Sequence, residues 1–248
     1  MDTPTRTRPL PVHEGPLAVN TNVSSTAFVD RIRNNPKLAL NLAIALVVLI
    51  LVVVGGTVFF NSRSNAAAEQ LSAALQTYAA PIRSAEAPVP PGTLSFGSAD
   101  ERAKAANVAF AAVADKYGMT AAGRNALYLQ GITALQMGQN SSAETLLKKS
   151  AGSWNRDISD MASLALANLY HSTGRANDAV AEYNKVIAKP SNLVPVGLAR
   201  LQLAEMYEAD GKSADAKKIY AEIKDKDPKS AAAQLASEKL NPAGPQAR

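Results

Sequence analysis

Arg200–Lys224 reads RLQLAEMYEADGKSADAKKIYAEIK. Its centre, Gly211-Lys212-Ser213, ends as a nucleotide-binding phosphate loop ends. Such a loop also needs a glycine five residues earlier, so that the backbone can curl around phosphates, and a strand in front of it. The earlier position holds Met206, and the residues before Gly211 carry the spacing of an amphipathic helix. Gly211 is therefore read as a helix-ending glycine, with Ser213 as N-cap of the next helix.

Two upstream stretches share this layout: LYLQGITALQMGQNSSAETLLKKSA from Leu127 and SLALANLYHSTGRANDAVAEYNKVI from Ser163. The turn glycine recurs as Gly138, Gly174 and Gly211, spaced 36 and then 37 residues apart. A small residue follows each at Ala143, Ala179 and Ala216, and then a large one at Leu147, Tyr183 and Tyr220. Gly131, Ala167 and Ala204 are small where paired helices must approach closely. Tyr170 and Tyr207 follow the last two of these, and Pro190 and Pro228 end their helices. These landmarks resemble the tetratricopeptide repeat, a helix–turn–helix unit of about 34 residues. One such hairpin cannot bury its apolar face alone, so hairpins stack. The inter-repeat loops here are about two or three residues longer than that repeat implies.

Upstream of the aligned hairpins, Ala103, Ala106, Phe110, Val113 and Tyr117 form one apolar stripe. Ser98 and Glu101 make a capping-box pattern before it, and Gly118 follows as a C-terminal glycine free to take positive φ. This helix fits the repeat frame as a second helix. Its first helix is Ser64–Ala79, with Leu71, Leu75 and Tyr78 at helical spacing, and a Pro- and Gly-rich loop, EAPVPPGTLSFGS at Glu86–Ser98, splits the two. After the third hairpin, Lys229–Leu240 closes the stack, with Ala232, Leu235, Ala236 and Leu240 inward and Gln234, Ser237 and Glu238 toward water. No stretch alternates with the two-residue period of a strand.

Leu38–Phe60, LALNLAIALVVLILVVVGGTVFF, sets the broad class. It carries no charge and as a helix spans about 34 Å, against roughly 30 Å of bilayer hydrocarbon. A cleaved signal has a shorter apolar run and no leader of this length, so an uncleaved anchor is expected although an Ala-x-Ala follows at Ala66–Ala68. Arg31, Arg33 and Lys37 precede it and only Arg63 lies close behind, which places the N-terminus in the cytoplasm and the remainder outside. The expected fold is all-α: one N-terminal transmembrane helix, then an α-solenoid of three to four tetratricopeptide-like hairpins with a C-terminal capping helix. The parts are a disordered cytoplasmic tail at 1–37, the span at 38–60, a membrane-proximal helix at 61–80, the loop at 81–98, the repeat domain at 99–240 and a flexible tail at 241–248.

Composition narrows the function. The net charge of +5 comes from 26 Lys and Arg against 21 Asp and Glu with no block of like charge, and aromatics are 5%, so no nucleic-acid partner is expected. There is no cysteine, which removes disulfides, thiolate nucleophiles and most zinc sites. His13 and His171 are the only histidines and lack ligand spacing, so no metal is expected. No Ser-x-x-Lys, Gly-x-Ser-x-Gly or Gly-x-Gly-x-x-Gly motif occurs. Glu205, Glu208 and Asp210 read as a solvated helix face before an acid–base site. Neither enzyme activity, cofactor nor small-molecule substrate is expected. Trp154 lies in the first inter-repeat loop; an exposed Trp could anchor a partner, but packing over the end of the adjacent hairpin is favoured.

The candidate site is geometric. Stacked hairpins line an inner face with the first helix of each pair. The alignment assigns to it Asn125, Tyr128, Ile132 and Gln136, then Met161, Leu164, Asn168 and His171, then Leu198, Leu201, Glu205 and Glu208. This lining suits a peptide segment or an amphipathic partner helix, and it lacks the lysines with which tetratricopeptide clamps hold a C-terminal carboxylate. A short cytoplasmic tail, one anchor and an Ala-rich repeat domain resemble the ancillary subunit of the SecYEG translocon. The ending GKSADAKKIYAEIKDKDPKSAAAQLASEKLN is also similar to the periplasmic cell-division coordinator that works with Tol–Pal. The first resemblance implies a single-pass protein of the bacterial inner membrane with a periplasmic C-terminal domain, linking translocon subunits to periplasmic chaperones or client segments. The second implies an envelope-assembly or division scaffold acting with Tol–Pal or peptidoglycan machinery.

Overall fold

The computed structural model describes residues 33–83 and 88–241. The expectations for most of the N-terminal tail, His13 and Arg31 among them, for part of the Pro-rich loop and for the last residues lie outside these. The described residues form helices α1 Pro36–Ala79, α2 Ala99–Tyr117, α3 Ala121–Gln136, α4 Asn140–Ala151, α5 Arg156–Ser172, α6 Ala176–Ala188, α7 Val196–Ala209, α8 Ser213–Lys226 and α9 Ala231–Leu240, with no strand among them. The chain divides into two units, residues 1–59 and 60–248. Within the first, the apolar side chains of α1 are exposed from Leu40 onward. Among the described residues α1 is the helix long and apolar enough to cross a membrane. The apolar segment and Ser64–Ala79, read separately from sequence, belong to this single helix.

In the second unit the helices pair as the repeat spacing requires. Ala67 and Ala74 of α1 share one core with Ala106, Phe110 and Val113 of α2, so α1 supplies the first helix of the split hairpin. The Tyr78 and Phe110 rings meet at 6.0 Å. Leu75, expected on the same face, is exposed. The interrupting loop is closed at its base, where Arg83 N–H donates to the Phe96 carbonyl at 2.8 Å and Phe96 N–H to that of Pro81 at 3.1 Å. The pairs α3–α4, α5–α6 and α7–α8 follow, and α9 packs on α8 and α7. Ala143, Ala167, Ala179 and Ala204 are fully buried, as are the large residues Leu147, Tyr183 and Tyr220. Burying each of these large side chains contributes about 1.5–3 kcal/mol.

The turn glycines do what the alignment requires of them. Gly138, Gly174 and Gly211 have φ of 68°, 77° and 75°, a region L-residues with a Cβ avoid. Each turn is a Schellman cap: Gln139, Arg175 and Lys212 N–H groups reach back to the carbonyls of Ala134, Tyr170 and Tyr207 at 2.7–2.9 Å. This corrects the role of Ser213. Lys212 is already the last cap residue of α7 and the residue before α8, so Ser213 is the first helical residue and caps nothing.

Three other local readings change. Gly118 ends α2 at φ −54°, not in the left-handed region, because Thr120 closes the corner: its hydroxyl donates to the Tyr117 carbonyl at 2.8 Å and accepts from Gly123 N–H at 3.1 Å. The capping box is offset by one residue: Ser98 accepts from Glu101 N–H, while Glu101 reaches Gly97 N–H rather than that of Ser98. On α9, Ala233 and Ala236 are buried while Leu235 is 48% exposed. The face of α9 that joins the core of Ala216 and Tyr220 is centred on Ala233 and Ala236, with Ala232 and Leu240 at its margins, which leaves Leu235 outside it.

Candidate functional site

The inner face is half filled by its own side chains. Tyr128, Ile132, Met161 and Leu198 pack against one core that includes Leu164. Leu164 and Leu201 are only 7% and 6% exposed. Both were assigned to the lining, and both are core residues, Leu201 within the cluster of Ala204, Ala216 and Tyr220. Apolar side chains on adjacent stacked helices satisfy one another before any partner arrives. Asn125 is half-buried, and Gln136 is exposed beside α1, where its amide donates to the Tyr78 hydroxyl at 2.7 Å. Tyr78 thus joins this face. Burial, and then proximity to Tyr78, push the Tyr128 hydroxyl above its ordinary pKa.

The open part is polar. Asn168, His171 and Glu205 line a recess of about 290 Å³ with Tyr183, Gln202, Met206 and Ala209. Tyr183 comes from α6 and donates its hydroxyl to Asn168 Oδ1 at 2.8 Å. Burial, reinforced by Glu205, pushes the Tyr183 pKa up to about 12, so it remains a donor at neutral pH. Gln202 Oε1 is buried in the recess wall with no hydrogen-bond partner among the described residues. Beside it His171 Nε2 lies 2.8 Å from Asp210 Oδ1, and that hydrogen bond holds Asp210 below its usual range.

Glu208, the last residue assigned to the lining, is engaged. It accepts from the Tyr220 hydroxyl at 3.1 Å and from Lys239 Nζ at 2.9 Å, tying α9 to the repeat. Lys239 is the chief cause of its depressed pKa. The recess therefore gathers Asn168, His171 and Glu205 of the assigned residues and adds Tyr183, Gln202 and Met206. Tyr183 was legible only as a repeat landmark. Gln202 carried a signal in its spacing, three residues before Glu205 and seven before Ala209.

A second recess of about 380 Å³ lies away from this face, lined by Arg156, Ser159, Asp160, Ser163, Lys185 and Lys189 among others. Burial pushes the Asp160 carboxyl up, opposed by Arg156 Nε at 3.3 Å. Among the described residues no group of three His, Cys, Asp or Glu could hold a metal. Trp154 corrects its expectation of packing: it is 79% exposed. The Arg124 guanidinium lies over its ring at 4.0 Å.

Stacked helical hairpins with a concave polar recess define a repeat protein that works by binding other proteins. Residues 40–183 match the tetratricopeptide repeat-like domain, and residues 198–230 match a tetratricopeptide repeat. The first match covers more than half of the sequence, and the chain belongs to the tetratricopeptide repeat-like domain family. That match begins inside the apolar half of α1 and runs through α2 to α5 into α6. No curated protein and no solved structure matches the chain.

Proposed function

We propose that the chain is a single-pass adaptor of the bacterial inner membrane, anchored through Leu38–Phe60, with its repeat domain on the periplasmic side. It holds protein partners at the concave face and serves as an accessory factor of the Sec translocon, linking it to periplasmic chaperones or to emerging clients. The observation that carries the binding role is the open recess at Asn168, His171 and Glu205. An extended partner segment supplies backbone N–H donors suited to the exposed Asn168 and Glu205 side chains. The anchor raises the effective concentration of the domain near other membrane proteins. The translocon assignment rests on the resemblance in architecture. The C-terminal similarity to the Tol–Pal-associated coordinator favours a second reading, an envelope-assembly or division scaffold.

A photo-crosslinker at Glu205 in intact cells separates the two. Adducts with translocon subunits, chaperones or unfolded clients support the first reading. Exclusive capture of Tol–Pal or cell-wall enzymes would replace it with the second. An alkaline phosphatase fused to the C-terminus is expected to be active, and an inactive fusion with a full-length product overturns the orientation.

A further inference from the structure

The hairpins have two edges. One carries the glycine turns; the other carries the connections between hairpins. Three of the most exposed large apolar residues of the repeat unit fall in those connections: Met119 at 83%, Trp154 at 79% and Leu193 at 63% exposure. Side-chain bonds knit the three connections into one continuous edge. Arg124 lies over the Trp154 ring and donates to the Met119 carbonyl at 2.8 Å. Arg156 donates to the Lys189 carbonyl, and Leu193 N–H donates to Asp157 Oδ1 at 3.2 Å.

The edge is also basic. α2, α4 and α6 end on it with Lys116, with Lys148 and Lys149, and with Lys185 in their last turns, of which Lys148 and Lys185 are paired with Glu144 and Glu182 on their own helices. On the glycine-turn edge α3 and α7 end without a basic residue and α5 ends with His171, while Arg175 and Lys212 follow two of the turns. Most telling is where the chain enters. Arg63, three residues beyond the apolar segment, donates to the Lys116 carbonyl and stacks over Tyr117 at 5.4 Å. The first helix of the repeat unit therefore begins at this same edge.

We infer that this edge docks on a lipid surface, with Trp154, Met119 and Leu193 in the headgroup layer and the surrounding lysines and arginines over lipid phosphates. Trp favours that depth because its ring is apolar and its N–H seeks a polar partner. Clustered cations add attraction to anionic lipid. The longer inter-repeat loops supply the residues that reach out. The inference rests on Leu38–Phe60 spanning the membrane, and the test distinguishes the two.

Trp154 is the only tryptophan, so the emission of the full chain reports on this edge alone. The full chain is reconstituted in vesicles of phosphatidylglycerol and phosphatidylethanolamine, with and without lipids brominated near the headgroup. The expected result is blue-shifted emission, loss of most of it to the brominated lipid, and return to hydrated, unquenched emission in the double variant Met119→Glu, Leu193→Glu, with both proteins resisting alkaline extraction. Unquenched, hydrated emission from a wild-type chain that resists extraction overturns the docking and leaves the anchor standing. Shielding without bromine quenching puts a protein over this edge and equally overturns it. Extraction of the wild-type chain by alkali overturns both.

Discussion

Gly123→Ala tests how closely α2 and α3 meet. Gly123 sits in the first turn of α3, and a Cβ built there would overlap the carbonyl of Tyr117 and stand 2.8 Å from the Gly118 nitrogen. The obstacle is backbone, so no rotamer change relieves it, and α3 must shift away from the end of α2. That shift strains the buried Thr120 corner, where one hydroxyl bonds both Tyr117 and Gly123 at 2.8 and 3.1 Å. Overpacking costs about 1–3 kcal/mol and a lost cap about 1 kcal/mol. The better helix propensity of Ala returns at most about 1 kcal/mol. A net loss of roughly 2–3 kcal/mol is expected. Urea denaturation of the chain in detergent, followed by helical circular dichroism, measures it. Gly152→Ala is the control, since its Cβ would meet only carbonyl oxygens at 3.5 and 3.7 Å, and a change within about 0.5 kcal/mol is expected. If Gly123→Ala matches the control, the close approach at this corner is wrong.

Gly174→Ala is expected to cost about 1–2 kcal/mol through backbone strain alone, because nothing lies within 4 Å of its Cβ position, and to lower Tm by several degrees. Tyr183→Phe removes a pH dependence. With its folded pKa raised from 10.0 to about 12, Tyr183 contributes stability that is fully present below the lower value and lost as pH rises through the upper. Linkage puts a ceiling of roughly 2.7 kcal/mol on this, discounted to about 1 kcal/mol because its partner Asn168 faces water. Thermal melts between these two pH values should fall less steeply in the variant, and parallel slopes would refute the assignment. Glu208→Ala frees Lys239 and Tyr220 and is expected to loosen α9 by roughly 0.5 kcal/mol, seen as faster hydrogen exchange at 231–240. The folded pKa of Glu208 is depressed, so this tie is present above the ordinary carboxylate pKa and lost as pH falls through the lower value. The wild-type exchange should approach that of the variant in acid.

The hairpins were legible because spacing alone carries them. Gly138, Gly174 and Gly211 sit a repeat apart, and only backbone geometry is needed to read their role. The lysine that made Gly211-Lys212-Ser213 resemble a phosphate loop has a repeat meaning that spacing did not reveal. Lys212 lies over Tyr207 at 5.5 Å and Arg175 over Tyr170 at 4.1 Å, each cation five residues after its ring. The hairpin α3–α4 has Ala134 and Gln139 at the same two positions, so ring and cation are lost together. What periodicity could not resolve was competition between neighbours. Leu164 and Leu201 satisfy a helical stripe equally well as lining or as core, and adjacent helices decide for core. Trp154 was misread because burial of a loop residue depends on what lies across the loop, and here that is one arginine.

The two edges divide the work along the helix axis. Arg156 opens α5 at the connection edge, while Asn168 and His171 lie near its far end. At 1.5 Å per residue the recess stands roughly 20 Å from that edge. With Trp154 at lipid headgroups, a segment held by Asn168, His171 and Glu205 is kept clear of the bilayer surface. In that proposed position transmembrane helices of a partner would not reach it, whereas soluble proteins or chains already released from the membrane would. On the proposed docking, the same separation would leave a polar recess in water. The Glu205 carboxylate and the Asn168 amide in it are exposed to water, where a polar group costs little until a partner segment displaces that water.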